Sequence, residues 1–228
     1  MKRLVFLVEG EGDFSAVPSL AGRWLSDNPE WYQFVHFDTK PFQIGGIDKV
    51  SGKPKIQAEW QRYLKLAYTK RPNVGAIFAV LDGDLSKFEG KPFCAVEAAR
   101  TLAERARDVG AGVLFSFGIA IICKEYESIL LAAVAQLPGM VVGISIPQSP
   151  ENIRGAKEWL NDNSIEGYSQ VPQQNELTKA VKDWGPVRKT HRSFRRFENA
   201  LRQLVTAMCS ETHVVTPVLQ VDNSNASQ

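Results

Sequence analysis

Cysteine is scarce in this 228-residue chain: Cys94, Cys123 and Cys209 stand far apart and are odd in number. That excludes a disulfide framework and a C-x-x-C metal site, and it fits a cytoplasmic protein with reduced thiols. Histidine is as rare, and His36, His191 and His213 lack the spacing of metal ligands. Long apolar runs are missing as well. The first, Leu4 to Val8, stops at Glu9, short of the roughly 7–15 residues of a signal-peptide core, and no other nears the roughly 20 of a membrane span. A formal net charge of +2 gives no overall field to draw in nucleic acid or a membrane surface. Gly10 and Gly12 form a G-x-G without the rest of a dinucleotide fingerprint, and with no Walker lysine motif the chain is not expected to hydrolyse ATP. No internal repeat is visible.

What the chain does have is enough apolar side chain, 44%, to bury one substantial core or two modest ones. Leu4 to Val8 predicts a strand buried on both faces, followed by the polar turn from Glu9 to Asp13. Phe14, Val17, Leu20, Ala21 and Trp24 then recur at helical spacing, with Pro18 read as lying in a first turn. A shorter strand is expected at Gln33 to Phe37 and a loop at Gln43 to Gly46. A helix runs from Pro54 (Ile56, Trp60, Tyr63, Leu64, Ala67) and closes at Arg71-Pro72-Asn73. Val74 to Leu81 predicts a strand, Phe93 to Asp108 a helix stopped at Gly110, and Val113 to Ile122 another buried strand. Further on, helices are expected at Glu125 to Leu137, Ile153 to Leu160 and Ser193 to Met208, a strand at Met140 to Ile146, and a polar loop at Asn161 to Asn175.

This alternation predicts an α/β fold, with a mainly parallel central sheet flanked by helices. Residues 1–135 read as the core, 136–221 as a helical extension packed on it, and 222–228 as a disordered tail with little to bury. In such sheets the ligand site lies beyond the carboxyl ends of the strands.

Acids stand at those ends. Glu9 follows the first strand, Asp82 and Asp84 end the run 77-IFAVLDGDLSKF-88, and Glu125 and Glu127 follow a third strand in 124-KEYESILL-131. Two aspartates at i and i+2 at the end of a strand project to the same side, and a divalent cation relieves their repulsion. Oxygen-only ligands favour Mg²⁺ or Mn²⁺ over zinc. Glu125 and Glu127 share a face only if that strand continues through them. Each acid also has a plainer reading. The D-x-D pair suits a turn, Glu9 a helix-start acid, Asp13 an N-cap, and Glu125 and Glu127 a solvated helix.

The segment 5-VFLVEGEGDF-14 resembles the first motif of Toprim domains, and 80-VLDGD-84 resembles their D-x-D strand end. The similarity is greatest to a bacterial Toprim family related to the overcoming-lysogenisation-defect nucleases, through 124-KEYESILLA-132, Gly45-Gly46 and the basic-aromatic helix near Ser193 to Leu204. The resemblance implies a Toprim-like fold and magnesium-dependent phosphodiester chemistry. It casts Glu9 as general acid/base or metal ligand, Asp82 and Asp84 as metal ligands, and Glu127 with Glu125 as completing the site. Gly10 and Asp13 belong to the site loop, and Gly12 departs from the pattern where many members carry Thr. The resemblance also implies an ABC- or AAA-type ATPase partner in phage-defence systems.

The strongest basic patch is 188-RKTHRSFRRFENALR-202. On a helix, Arg192, Arg195 and Arg196 face outward and suit backbone phosphates, or else form a solvated basic face. The leading expectation is a metal-dependent nuclease. The alternatives are a non-catalytic subunit of an ATPase complex and a haloacid-dehalogenase-type phosphatase with Asp82 as nucleophile. The chain could also form a homo-oligomer.

Overall fold

A computed structural model of the chain describes residues 1–47, 54–141, 143 and 147–217, with backbone alone over 54–58. The first half alternates strand and helix: β1 (Lys2–Val8), α1 (Glu11–Ser26), β2 (Val35–Phe37), β3 (Phe42–Gln43), α2 (Pro54–Thr69) and β4 (Val74–Asp82). A small hairpin of β5 (Lys87–Phe88) and β6 (Lys91–Pro92) precedes α3 (Ala95–Arg107) and β7 (Ser116–Ile122). The second half is mostly helical: α4 (Glu127–Ala132), α5 (Ala156–Asp162), α6 (Gln170–Ala180), α7 (Gly185–Thr190) and α8 (Arg192–Cys209), closed by β8 (Val215–Thr216).

The central sheet has the order β2-β1-β4-β7-β8, with β3 also on β1, and every pairing is parallel. The continuous apolar runs are explained by this topology, since β1, β4 and β7 each bury both of their faces. Leu4, Phe6, Val8, Ala76, Phe78, Val80, Ala120 and Ile122 join the core on one side, with Val17, Leu20 and Trp24 of α1 and Phe194, Phe197 and Leu201 of α8. Val5, Leu7, Ile77, Ala79, Leu81, Phe117, Ile119 and Ile121 face the other way, onto Trp60 and Leu64 of α2 and Leu102 and Ala106 of α3. The result is an α/β body with a mainly parallel sheet flanked by helices, consistent with a Rossmann-like fold. Residues beyond 135 return to it, α8 on one face and β8 at the sheet edge.

Several boundaries differ from those read in the sequence. Helix α1 starts at Glu11, before the first apolar residue of its stripe, so Pro18 sits in its interior rather than in a first turn. There it is buried, and it removes the N–H that would bond the Phe14 carbonyl. Strand β7 starts at Ser116, because a turn closed by the Leu114 N–H on the Gly110 carbonyl (2.8 Å) uses up the exposed Val113 and Leu114. The helix expected at Glu125 to Leu137 is α4 followed by a 3-10 turn, Val134–Gln136. The segment expected as a loop through Asn175 contains the start of α6. Its buried face is Gln174 and Thr178, which carry no apolar period. The strand expected at Met140 to Ile146 falls mainly outside the described residues, where Met140 makes one antiparallel bridge to Ser164. The tail 222–228 lies wholly outside them. Among the described residues, no helix is long and apolar enough to cross a membrane.

Candidate active site

The carboxyl ends of β1, β4 and β7 lie side by side, and the loops leaving them carry the acids. The β1–β4 ladder runs as far as Val8 opposite Val80. One step on, the Glu9 side chain takes over from the backbone, and its Oε2 accepts the Asp82 N–H at 3.1 Å. The loop of Gly45 and Gly46 lies against the same end, with the Gly45 N–H donating to the Glu9 carbonyl at 3.2 Å.

Asp82 is the last residue of β4, opposite Ile122. The next N–H, of Gly83, donates to both the Ile122 carbonyl (2.8 Å) and the Lys124 carbonyl (2.9 Å). A Cβ at Gly83 would stand 2.8 Å from that Ile122 oxygen, so the middle residue of the D-G-D sequence is glycine because the neighbouring strand end comes so close. Asp84 lies past the strand end, so the strand period expected to project both aspartates to one side does not extend to it. Its carboxylate pairs instead with Arg154 at 3.0 Å.

Asp13 is the third residue of α1 and not its N-cap, which is Gly10. The helix begins early because the Asp13 carboxylate reaches back: Oδ2 accepts the Gly10 N–H at 3.1 Å. Its Oδ1 accepts from Gln174 Nε2 of α6 at 2.7 Å. Helix α6 passes so close that a Cβ at Gly12 would stand 2.0 Å from Gln174 Oε1 and 2.5 Å from Gln170 Cγ. The small residue at Gly12 thus admits the helix that holds Asp13.

Beyond β7, Glu125 precedes α4 and Glu127 opens it. Glu125 Oε1 accepts the N–H of Ala156 at 2.5 Å and of Lys157 at 3.4 Å. Glu127 is buried, and its Oε1 accepts from the Tyr168 hydroxyl at 3.0 Å. The turn between them is fixed by Ser128 Oγ, which donates to the Glu125 carbonyl at 2.7 Å and receives the Nε2–H of buried His191 at 2.9 Å. His191 Nδ1 in turn accepts the Phe194 N–H at 3.2 Å, which leaves the ring proton on Nε2. Glu151 caps the same end of α8, accepting the N–H of Arg192 (3.0 Å) and of Ser193 (2.6 Å). Ser193 Oγ accepts the Cys123 N–H at 3.0 Å, tying that helix to the end of β7.

Electrostatics unite these groups. Burial, and then the charges of Asp13, Glu9, Glu127 and Glu125, hold the Asp82 carboxyl well above the ordinary range. Burial pushes Glu127 up to about 7, with the Glu125 charge adding to the effect and the Tyr168 hydrogen bond opposing it. Asp13 is raised by burial, against its bonds to Gln174 and Gly10. Burial also pushes the Tyr168 phenol up, so it stays a donor. Five carboxylates therefore share one field.

The donor set is all carboxylate oxygen, which suits a hard divalent cation, and the crowding that raises Asp82 is what such an ion relieves. In their present poses, no three His, Cys, Asp or Glu side chains among the described residues form a ready metal site. The carboxylates of Glu9, Asp13, Asp84, Glu125 and Glu127 each hold a protein donor instead.

Of the three arginines, Arg192 and Arg196 act with Lys124 on the Cys123 thiol, whose upward shift from burial and the Glu151 charge they oppose. They thus stand beside the end of β7. Arg195 turns to the carbonyls of Arg188 and Lys189. A cleft of about 210 Å³ follows the edge of β7, between Ala95 and Ala99 of α3 and Arg196, Asn199 and Gln203 of α8. Tyr168, Gln174 and Arg154 are contacts of the site that sequence reasoning did not find. The first two fall in the segment read as a polar loop, and Arg154 has only its charge to mark it. No family model matches the chain, and neither a curated protein nor a solved structure matches it.

Proposed function

We propose that the chain is a metal-dependent phosphodiesterase acting on nucleic acid, of Toprim type. The observation that carries this reading is the convergence of Glu9, Asp82, Glu125 and Glu127 from three parallel strand ends, joined by Asp13 from α1, so that burial and then the charges of its neighbours raise Asp82. Glu9, Asp82 and Glu127 would hold Mg²⁺ or Mn²⁺, with Glu125 and Asp84 completing the set. The ion, when bound, polarises the phosphodiester and lowers the pKa of the attacking water.

The chain's own groups set the stage. The Glu9 bond to the Asp82 amide fixes two acids relative to each other, and the Gln174 and Tyr168 donors hold Asp13 and Glu127 in place. Arg192, Arg196 and Lys124 offer the strand of substrate a cationic flank. The resemblance adds a phage-defence role and an ATPase partner. The test is a plasmid-nicking and single-strand cleavage assay with Mg²⁺ or Mn²⁺. Wild-type protein should cut and Asp82→Ala should not, whereas equal cutting by both removes the claim.

A second reading, a non-catalytic subunit of an ATPase complex, draws on the protein donors already held by the carboxylates of Glu9, Asp13, Glu125 and Glu127. Calorimetry separates the two: a catalytic site takes up Mn²⁺ in the millimolar range or tighter, and a purely structural one takes up none.

A further inference from the structure

Asp84 lies past the end of β4, and its carboxylate is held by Arg154 at 3.0 Å. Both side chains are exposed, by 64% for Arg154 and 48% for Asp84, and an ion pair so open to water adds little stability and exchanges partners at little cost. Arg154 is not loosely hung, however. The two amides that follow Gly155, those of Ala156 and Lys157, are bound by Glu125 Oε1. The guanidinium therefore spans from the loop pinned by one acid of the cluster to Asp84, just past the end of β4. A planar guanidinium matches a phosphate with two parallel hydrogen bonds, better than it matches a solvated carboxylate.

We propose that Arg154 is the residue that takes the phosphate of a nucleic-acid backbone, and that it leaves Asp84 to do so. This rests on the phosphodiesterase reading above. In the resting protein the pair keeps both groups occupied. An arriving phosphate draws the guanidinium away, which frees the Asp84 carboxylate at the moment when the remaining acids need it. No bond is made or broken in this exchange, and charge is conserved: a carboxylate partner is replaced by a phosphate.

The test uses the full chain and a fluorescein-labelled single-stranded oligodeoxynucleotide, with two readouts. In EDTA, by anisotropy, Asp84→Asn should bind about three- to tenfold more tightly than wild type, because Arg154 is released. Arg154→Gln should bind several-fold more weakly, abolish that gain when combined with Asp84→Asn, and reduce the slope of log affinity against log salt by about 0.7. In Mn²⁺, Arg154→Gln should raise KM about tenfold with kcat within about threefold, and Arg154→Lys should recover part of the loss. If Arg154→Gln leaves binding and KM at wild-type values while Asp82→Ala abolishes cutting, the Arg154 role is overturned and the phosphodiesterase stands. If nothing is cut but binding depends on Arg154 and is strengthened by Asp84→Asn, the phosphate role stands and the phosphodiesterase falls. If the oligonucleotide is neither bound nor cut, both fall.

Discussion

The Asp82 backbone N–H donates to the Glu9 carboxylate at 3.1 Å, so the acid that ends one strand holds the acid that ends the next. Side-chain capping of a neighbouring strand ties the Glu9 carboxylate to the backbone that carries Asp82. It also forces like charges together, with consequences that can be measured.

Asp82→Asn should stabilise the metal-free protein while destroying activity. A carboxyl raised in the folded state costs stability at every pH above its unfolded value, because the unfolded chain ionises more easily. Removing that charge near neutral pH should contribute about 1–2 kcal/mol, or roughly 2–8 °C in Tm for a chain of this size. Thermal unfolding in EDTA checks the sign, and a lower Tm for the variant would contradict it.

Metal should stabilise one of the two proteins and not the other. Millimolar Mn²⁺ should raise the Tm of wild type, because a ligand bound only by the folded state stabilises it. The same addition should leave Asp82→Asn unchanged or nearly so, and EDTA should reverse the gain. Differential scanning fluorimetry with and without the ion is sufficient.

Acid should weaken the anchorage of α8. Burial lowers His191 to about 4, so the unfolded chain binds a proton that the folded one refuses, and this contribution to stability is lost as pH falls from about 6.5 towards 4. Glu151, lowered by the bonds from Ser193 and Arg192, works in the same direction below its ordinary range. The raised acids of the site, Asp82, Asp13 and Glu127, oppose them. His191→Gln isolates the histidine: urea unfolding at pH 7 and pH 5 should show a smaller loss of stability in the variant, by about 1–2 kcal/mol.

Gly12→Ala should damage the site from a distance, since its Cβ would meet Gln174 Oε1 at 2.0 Å and push α6 from α1. A loss of about 1–3 kcal/mol is expected, together with reduced activity as Asp13 loses its donor. Gly22 in the same helix has nothing within 4 Å of the corresponding position, so Gly22→Ala should stabilise by about 0.5–1 kcal/mol. The contrast separates crowding from helix propensity.

Some of this molecule was legible in its sequence and some was not, for physical reasons. Strands buried on both faces, such as Val74 to Asp82, declare themselves as unbroken apolar runs, and the parallel order of the sheet follows from the helices between them. Glu9, Asp82, Glu125 and Glu127 were found because a rule about strand ends applies to them. The helix that holds Asp13 escaped because Gln174 and Thr178 bury hydrogen bonds in place of methyl groups. The partner of Asp84 escaped because an arginine in a surface loop looks like any other. His191, given no role from its spacing, proves to be a cap, which no pattern of ligands could signal.

The parallel order of the central strands also has a consequence in time. Glu9, Asp82 and Glu127 follow or end strands separated by whole crossovers, so no early hairpin or isolated helix can assemble them. The cluster of negative charge exists only once the sheet has closed around it. During refolding, ion binding should therefore appear with the last cooperative phase and never before it, so that a chain still emerging or half-formed carries no working copy of its own site.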